Sequence, residues 1–507
     1  MNLTPDSIKC TIQFTLDNGT TFSLNTADTI NQTNFLTSIK LREELSAQTD
    51  IPVGVINSTV LDLILISNNR ALVPNNSSSV YYGHLNNKVK IQVNVTVNNV
   101  DNVFMGTYYV DEWKSNTSST TANQVIISAT GVMHKVSKLD IPMTDINNID
   151  NFKDYLIELF EIINTDLQAS NISPVVISGN NISFSEFPNM QYAKLEMDDM
   201  GTLLNDISQA TLTNIYIDRN DILRTDFCCD DQYAQVVTTI DVLTAAQVGE
   251  DFNLNYDGVS VKYSKYNVQD IETLASITNE NLISGDNIFD NIDLGENVYK
   301  VNRIVATTKD IDVLAYTKSA LFNKKKLNLT INSDGSSVTD IAILGKRVDN
   351  TEFTCEVGGD NKLEVKNKVL DYNYIDKYAN MLNQLINIRD NSMVVTCYIT
   401  PDIIKLGDIV FVNCSQAMSV SGDYKIVGIE WEFSTYSKAT ISLIKTFDIT
   451  YDIDAILYSQ NKAFTQALGG YTVNPVLDSI SERENIYIEQ NLSTQLYDLR
   501  VILGEEV

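Results

Sequence analysis

Apolar and polar residues alternate one by one along much of the first 145 positions, the period of a strand with one buried face. "KVKIQVNVTV" places Val89, Ile91, Val93 and Val95 on one face, with Lys88, Lys90, Gln92 and Asn94 opposite. "IKCTIQFTL" alternates likewise, and Asn18-Gly19 supplies a hairpin turn before "TTFSL". "FMGTYYVDEW" and "NQVIISATGV" predict two more strands, with His134 and Lys135 closing the second.

The period then changes. In "NFKDYLIELFEIINTDL", Phe152, Leu156, Leu159, Phe160, Ile163 and Leu167 recur at steps of three or four, and Asn151 with Asp154 resembles a helix start. A second helix is predicted over 202–211, with Leu203, Leu204 and Ile207 inward. "TNIYIDRNDILRTDF" reads as a hairpin turning at Asp218 to Asp221. Strands resume from 236. "NLNYDGVSVKY" reads as a hairpin around Asp257-Gly258, and "KKLNLTINSDGSSVTDIAIL" breaks at Asp334-Gly335. A helix runs from Tyr374 to Ile388, with Ile375, Tyr378, Ala379, Leu382, Leu385 and Ile386 on one face. Turn chemistry follows at Pro401-Asp402 and Gly407-Asp408, before the apolar run Ile409 to Val412. A break at Ser421-Gly422-Asp423, the strand "YKIVGIEWEF" and the strand "KATISLIK" complete a three-stranded meander.

These patterns predict an α+β, predominantly β, multidomain chain. Its 507 residues exceed what one core holds. The expected parts are a barrel-like β domain over 1–145, an α/β segment over 146–235, a second β-rich domain over 236–370, a helix plus meander over 371–450, and a C-terminal docking extension over 451–507. That extension has sparse apolar positions and a flexible Gly469-Gly470.

The net charge of −29, from 36 basic and 65 acidic residues, gives a phosphate backbone little to bind. Lys324-Lys325-Lys326 is the one basic run, read as a solvated turn or strand edge. The apolar stretch from Val60 to Ile66 is short and interrupted by Asp62, whereas a membrane span needs about 20 apolar residues. The start, "MNLTPDSIKC", lacks a signal pattern, so synthesis in a cytoplasm is expected. Six cysteines read as reduced thiols, with the adjacent Cys228 and Cys229 badly placed for a bridge or a metal.

Chemistry is sparse. His84 and His134 are the two histidines, and neither sits in a motif. Zinc spacings and the nucleophile elbow are missing. "DNIFDNIDLGE", from Asp286 to Glu296, offers oxygen ligands but not calcium-loop spacing, and reads as a polar loop. Gly345-Lys346 lacks the earlier glycine of a phosphate loop, and Arg347 stands at the hydroxyl position. Asp198-Asp199 and Asp230-Asp231 are adjacent carboxylates, whereas a glycosidase needs a pair across a cleft. We therefore expect no enzyme, no catalytic residue, no metal site and no cofactor.

The segment "YNYIDKYANMLNQLI", "TPDIIKLGDIVFV", "SGDYKIVGIEWEF" and "KATISLIKTF" resembles the C-terminal part of the bacteriophage baseplate hub, or tail-tip, family. "GTLLNDISQATLTNIYIDRNDILRTD" resembles that family's helix-then-hairpin. "NNKVKIQVNV", "VFMGTYYVDEW" and "NQVIISATGV" resemble its N-terminal tail-tube-like β-barrel, with Gly131 where the family often has Asp. The matches run in the family's order over about half the chain.

The resemblance implies a structural virion protein at the distal end of a tail, made in the bacterial host. It implies a homotrimer whose two tube-like domains per copy build a pseudo-hexameric ring around a DNA conduit. Implied partners are the tail tube or distal tail protein, the central spike or tip protein, the tape-measure protein, and baseplate wedge or fibre proteins. Genomic DNA would pass unbound along an acidic wall. Gly407, Asp408 and Gly422 would then serve turn geometry. Other readings are a peripheral baseplate adaptor and a cell-wall-degrading or carbohydrate-binding tail protein.

Overall fold

The computed structural model describes residues 8–445 apart from 27–32, 46–55, 57, 99–100, 117–122, 146–150, 185, 191–198, 228–234, 242–245, 249–255, 279–281, 308–316, 324–325, 334–339, 389–391, 415–419 and 435. The extension expected over 451–507 lies outside the described residues, as do Cys228, Cys229, Asp198, Asp230, Asp231, Lys324 and Lys325.

The alternating N-terminal segments form β1 (Ile8–Thr15), β2 (Thr21–Asn25), β3 (Asn34–Glu44), β4 (Val60–Ser67), β5 (Lys90–Val97), β6 (Asp101–Asn116) and β7 (Gln124–Thr130). They pair antiparallel in the order β2-β1-β5-β6-β7-β4-β3. Asn18 and Gly19 turn the β1–β2 hairpin, Gly19 at a φ of 81° and the Asn18 side chain accepting the Thr20 N–H at 2.9 Å. The sheet curls until β2 lies near β3, yet no ladder joins them among the described residues. The expected tube-like β-barrel is thus, among the described residues, a curled sheet without a closing ladder.

The expected strand around His134 ends at Thr130. Gly131 then caps a short helix, α1 (Val132–Val136), which contains His134. β8 (Thr144–Asp145) follows. The helical periods form α2 (Phe152–Ala169) and α3 (Met200–Thr211). The Asn151 side chain caps α2 by accepting from Lys153 N at 3.0 Å and Asp154 N at 3.2 Å. β9 (Thr213–Ile217) and β10 (Leu223–Phe227) are the hairpin expected there.

The C-terminal strands form a second lobe. β11 (Val236–Asp241) and β12 (Ala246–Val248) come from the middle of the chain. The β-rich stretch from β13 (Gly258–Val268) to β20 (Lys362–Asn367) intervenes. Then come helix α4 (Ile375–Ile388) and the strands β21 (Ser392–Tyr398), β22 (Ile409–Cys414), β23 (Val420–Phe433) and β24 (Ser437–Lys445). The lobe's order is β12-β21-β24-β23-β22-β11, with the meander β22-β23-β24 at its centre. Ser421-Gly422-Asp423 lies inside β23, paired to β22, so the expected break there is strand.

β23 is long enough for two partners along one edge. Its first half pairs with β22, and Gly428–Glu432 pairs with Glu44–Lys40 of β3. That seam fuses both lobes into one 13-stranded sheet over one hydrophobic core. Cys10 and Trp431, from opposite ends of the chain, belong to that core.

Between β13 and β20 lie β14 (Glu272–Thr278), β15 (Gly285–Asp293), β16 (Val298–Thr307), β17 (Thr317–Asn323), β18 (Lys326–Ser333) and β19 (Asp340–Gly358). β13 pairs with β19 and β20 on its two edges, so the expected hairpin at Asp257-Gly258 is a strand start instead. The expected break at Asp334-Gly335 lies outside the described residues; the strands on its two sides do not pair with each other, β18 pairing with β15 and β17, and β19 with β13, β14 and β16. Alternation identifies strands but carries no information on their partners.

Gly345 shows why glycine sits mid-strand in β19. Both flanking strands shift register beside it, and a Cβ there would lie 2.2 Å from the Lys300 carbonyl oxygen. Gly345→Ala should destabilise this sheet by about 2 kcal/mol or more, read as an earlier midpoint in urea unfolding.

Candidate functional site: a buried junction of three segments

The hairpin "YIDRNDIL" builds a tight turn from its own side chains. Asp218 accepts the N–H groups of Asn220 at 2.9 Å and Ile222 at 3.1 Å, and its second oxygen accepts Arg224 Nε at 2.5 Å. Asp221 takes the left-handed conformation, φ 59°, which Asp and Asn tolerate best after glycine. With the turn so fixed, Arg219 points inward.

The Arg219 guanidinium meets β3 and the C-terminal lobe together. Nε and Nη2 donate to the two carboxylate oxygens of Glu43, each at 2.7 Å, and Nη1 donates to the Pro401 carbonyl at 2.9 Å. Trp431 Nε1 donates to Glu43 Oε2 at 2.9 Å. The guanidinium stands 5.8 Å from the Trp431 ring centroid. Glu43 is only 3% exposed and Trp431 is fully buried. Burial opposes the charge on Arg219, but the charge and hydrogen bonds of Glu43 outweigh it and raise the guanidinium above its ordinary value.

The second turn motif abuts the same place. Gly407 adopts a φ of 83°, and its N–H donates to the Ile426 carbonyl at 2.9 Å. The Asp408 carboxylate accepts the Lys405 N–H at 2.9 Å, and its own carbonyl accepts Ile426 N–H at 2.9 Å. Burial raises the Asp408 carboxyl, against the pull of the Lys405 contacts and Arg219. A second buried pair, Lys425 to Asp226 at 2.9 Å, ties β23 to β10.

On the opposite face of the seam the charges are paired. Lys40 reaches Glu432 at 3.0 Å and Glu430 at 3.5 Å, Arg42 reaches Glu430 at 3.5 Å, and Lys438 reaches Glu432 at 3.2 Å. These exposed pairs set register more than they stabilise.

A cavity of about 20 Å³, room for roughly one water, lies beside Arg219 and is lined by Asp218, Asp221, Thr107 and Gly106 among others. Burial raises the Asp221 carboxyl to about 6, against a hydrogen bond from Thr107.

The other residues singled out by sequence lie apart. His84 Nδ1 contacts Asp17 Oδ1 at 2.6 Å in a surface turn, and His134 sits in α1, its imidazole pulled down by burial. Asp199 caps α3, accepting Thr202 N at 2.8 Å. Asp286, Asp290 and Asp293 point out along β15, so the expected loop is a strand. Arg347, beside Gly345, binds Glu272 and the carbonyls of Leu294 and Glu296. No group of three or more metal-ligating side chains occurs among the described residues. Glu43 was missed: in the alternating "IKLREEL" its buried place is marked only by its parity with Ile39 and Leu41.

No family model and no curated protein matches this chain. Solved structures similar to it include phage tail proteins and an E. coli component of the type VI secretion system. The 43 kDa tail protein of prophage MuSo2 from Shewanella oneidensis is 10% identical, with a TM-score of 0.46 over 86% of this chain and 98% of that one. A tail protein from Neisseria meningitidis MC58 is 8% identical, TM-score 0.43, over 86% and 96%. Prophage tail protein gp18 from Listeria monocytogenes EGD-e is 11% identical, TM-score 0.36, over 90% and 99%.

Two outcomes follow from the junction. Glu43→Leu or Arg219→Met alone should cost about 3–5 kcal/mol, because each strands a buried charge or its partners. The double variant should lose less than the sum by about 2 kcal/mol, measured as a double-mutant cycle in urea. Asp221 is easier to protonate folded than unfolded. Its contribution is therefore fully present below its ordinary value of 3.8 and is lost as pH rises through about 6. Asp221→Asn, compatible with the left-handed backbone, should flatten stability between those pH values and add about 1 kcal/mol at pH 7.

Proposed function

We propose that this chain is a structural hub of a phage-like tail, joining the tail tube to the central spike and lining the conduit. Its partners in this reading are further copies of itself, the tube or distal tail protein, the spike, the tape-measure protein and neighbouring baseplate proteins. The observation that carries the reading is the junction. The three motifs that resemble the hub family, "YIDR", "TPDIIKLGD" and "GIEWEF", come from two distant stretches of the sequence and supply Arg219, Pro401 and Trp431 to one buried contact. Each serves geometry, and together they fix the two lobes of one sheet side by side, the unit that three copies would repeat into a six-lobed ring.

The reading assigns no catalytic step. A net charge of −29 fits a wall that passing DNA does not adhere to. Near the seam, however, the carboxylates are paired with Lys40, Arg42 and Lys438. The reading therefore places the repelling charge away from that face.

Gold-labelled antibody against this protein should mark the distal end of tails on the particles that contain it, at three copies per particle. Six copies would favour a peripheral adaptor. Label elsewhere would sink the proposal and make release of cell-wall fragments by the purified protein the next assay.

A further inference from the structure

The β-rich insertion between β13 and β20 has a hydrophobic core of its own. β14, β19 and β16 lie side by side in that order, and Ile341, Ile343, Val301 and Ile304 pack inward with Leu327, Leu329 and Ile331 of β18. Alternation then fixes what the outer face carries. Lys346 and Leu344 flank the buried Gly345 on β19, and Lys300 and Arg303 stand to either side of the buried Val301 on β16. Across the ladder Lys300 pairs with Lys346, Arg303 with Leu344 and Val305 with Ala342. On the other edge Thr273 pairs with Leu344 and Ser276 with Ala342.

Lys300 and Lys346 are thus directly opposite on adjacent strands, an arrangement that costs stability unless something offsets the repulsion. Among the described residues no carboxylate pairs with either lysine or with Arg303. Glu272, at this end of the sheet, is held by Arg347 at 2.6 Å, and Asp340 stands at the far end of β19. On the neighbouring β13 sheet the lysines are matched: Lys262 with Glu364 at 2.8 Å, Lys362 with Glu356 at 2.7 Å and Lys366 with Glu352 at 3.2 Å. In a chain with 65 acids and 36 bases, the Lys300, Arg303 and Lys346 face is a local inversion of charge.

The donors select the anion. Two opposed ammonium groups act as point charges, which suits the tetrahedral oxygens of a phosphate, whereas a planar carboxylate is best met by a bidentate guanidinium. The exposed Thr273 hydroxyl adds a neutral donor in the next row. Arg303 supplies a second cationic centre: its partner Leu344 lies two positions from Lys346, about 7 Å along the strand. Two centres at that step fit successive phosphates of a chain better than one isolated ion. No aromatic residue occupies these ladder positions, so a nucleobase finds no stacking platform. A net charge of −29 also repels a densely charged duplex.

We propose that the outer face of β14, β19 and β16 binds a phosphodiester chain without bases, a polyol phosphate, with one phosphate between Lys300 and Lys346 and the next at Arg303. The bound anion offsets the repulsion of the opposed lysines. Gly345-Lys346 lacks the spacing of a phosphate loop, and here the same lysine meets phosphate from a sheet face. The site belongs to the insertion alone and does not depend on the hub reading.

The test is isothermal titration calorimetry of the full chain with a glycerol phosphate oligomer, an oligothymidylate carrying as many phosphates, and sodium phosphate. The glycerol phosphate oligomer should bind about tenfold or more tightly than either of the others, and more weakly as salt rises. Lys300→Gln with Lys346→Gln should weaken it about tenfold or more. Without ligand the same variant should unfold in urea at an unchanged or later midpoint, since a like-charge pair is gone. Arg303→Gln alone should also weaken binding, and Lys262→Gln, at a paired lysine of the neighbouring sheet, should not. Oligothymidylate bound as tightly would overturn the proposal in favour of a nucleic-acid surface, and sodium phosphate bound as tightly would overturn the chain as ligand. No binding of the oligomer, or binding indifferent to the double variant, would overturn the site itself.

Discussion

The Glu43–Arg219 pair is the contact on which the arrangement of this chain depends. Each lobe can satisfy its own strands, but only a five-residue ladder joins β3 to β23. A ladder that short fixes register weakly, since a slip by one residue would turn every side chain to the other face. The bidentate pair removes that freedom. Glu43 must face Arg219 and Trp431, so the whole of β3 has one allowed register against β23. Buried ion pairs often add little net stability, and their better-attested role is to specify one arrangement. Here three segments, separated by 176 and 182 positions from Arg219, meet at one guanidinium.

Much of this was legible in sequence, for local reasons. The period-two pattern of β5, the cap of α2 and the periods of α2 and α3 depend on near neighbours, and all appear as expected. The turn at Asp218–Asp221 is likewise local, built from Asp218 bonding its own backbone. Pairing was not legible. Asp257-Gly258 carries strong turn residues, yet β13 is covered on both edges by strands from 340–358 and 362–367. Ser421-Gly422-Asp423 likewise reads as a turn, and cross-strand pairing to β22 overrides it. The junction was half legible: "YIDR" and "TPD" were visible as motifs, but their meeting, and Glu43, are products of the fold.

Charge follows the same division. The total of −29 is a property of the sequence, but its placement is a property of the structure. Across the seam acids and bases alternate and neutralise each other.

The claim that one buried pair holds the lobes in register is tested most directly by amide hydrogen exchange on Arg219→Met against the wild type. The account predicts that protection falls together in 40–44, 428–432 and the turn at 401–408, while β1, β5 and β24 stay protected. A loss confined to the 218–222 turn, with the seam unchanged, would contradict it.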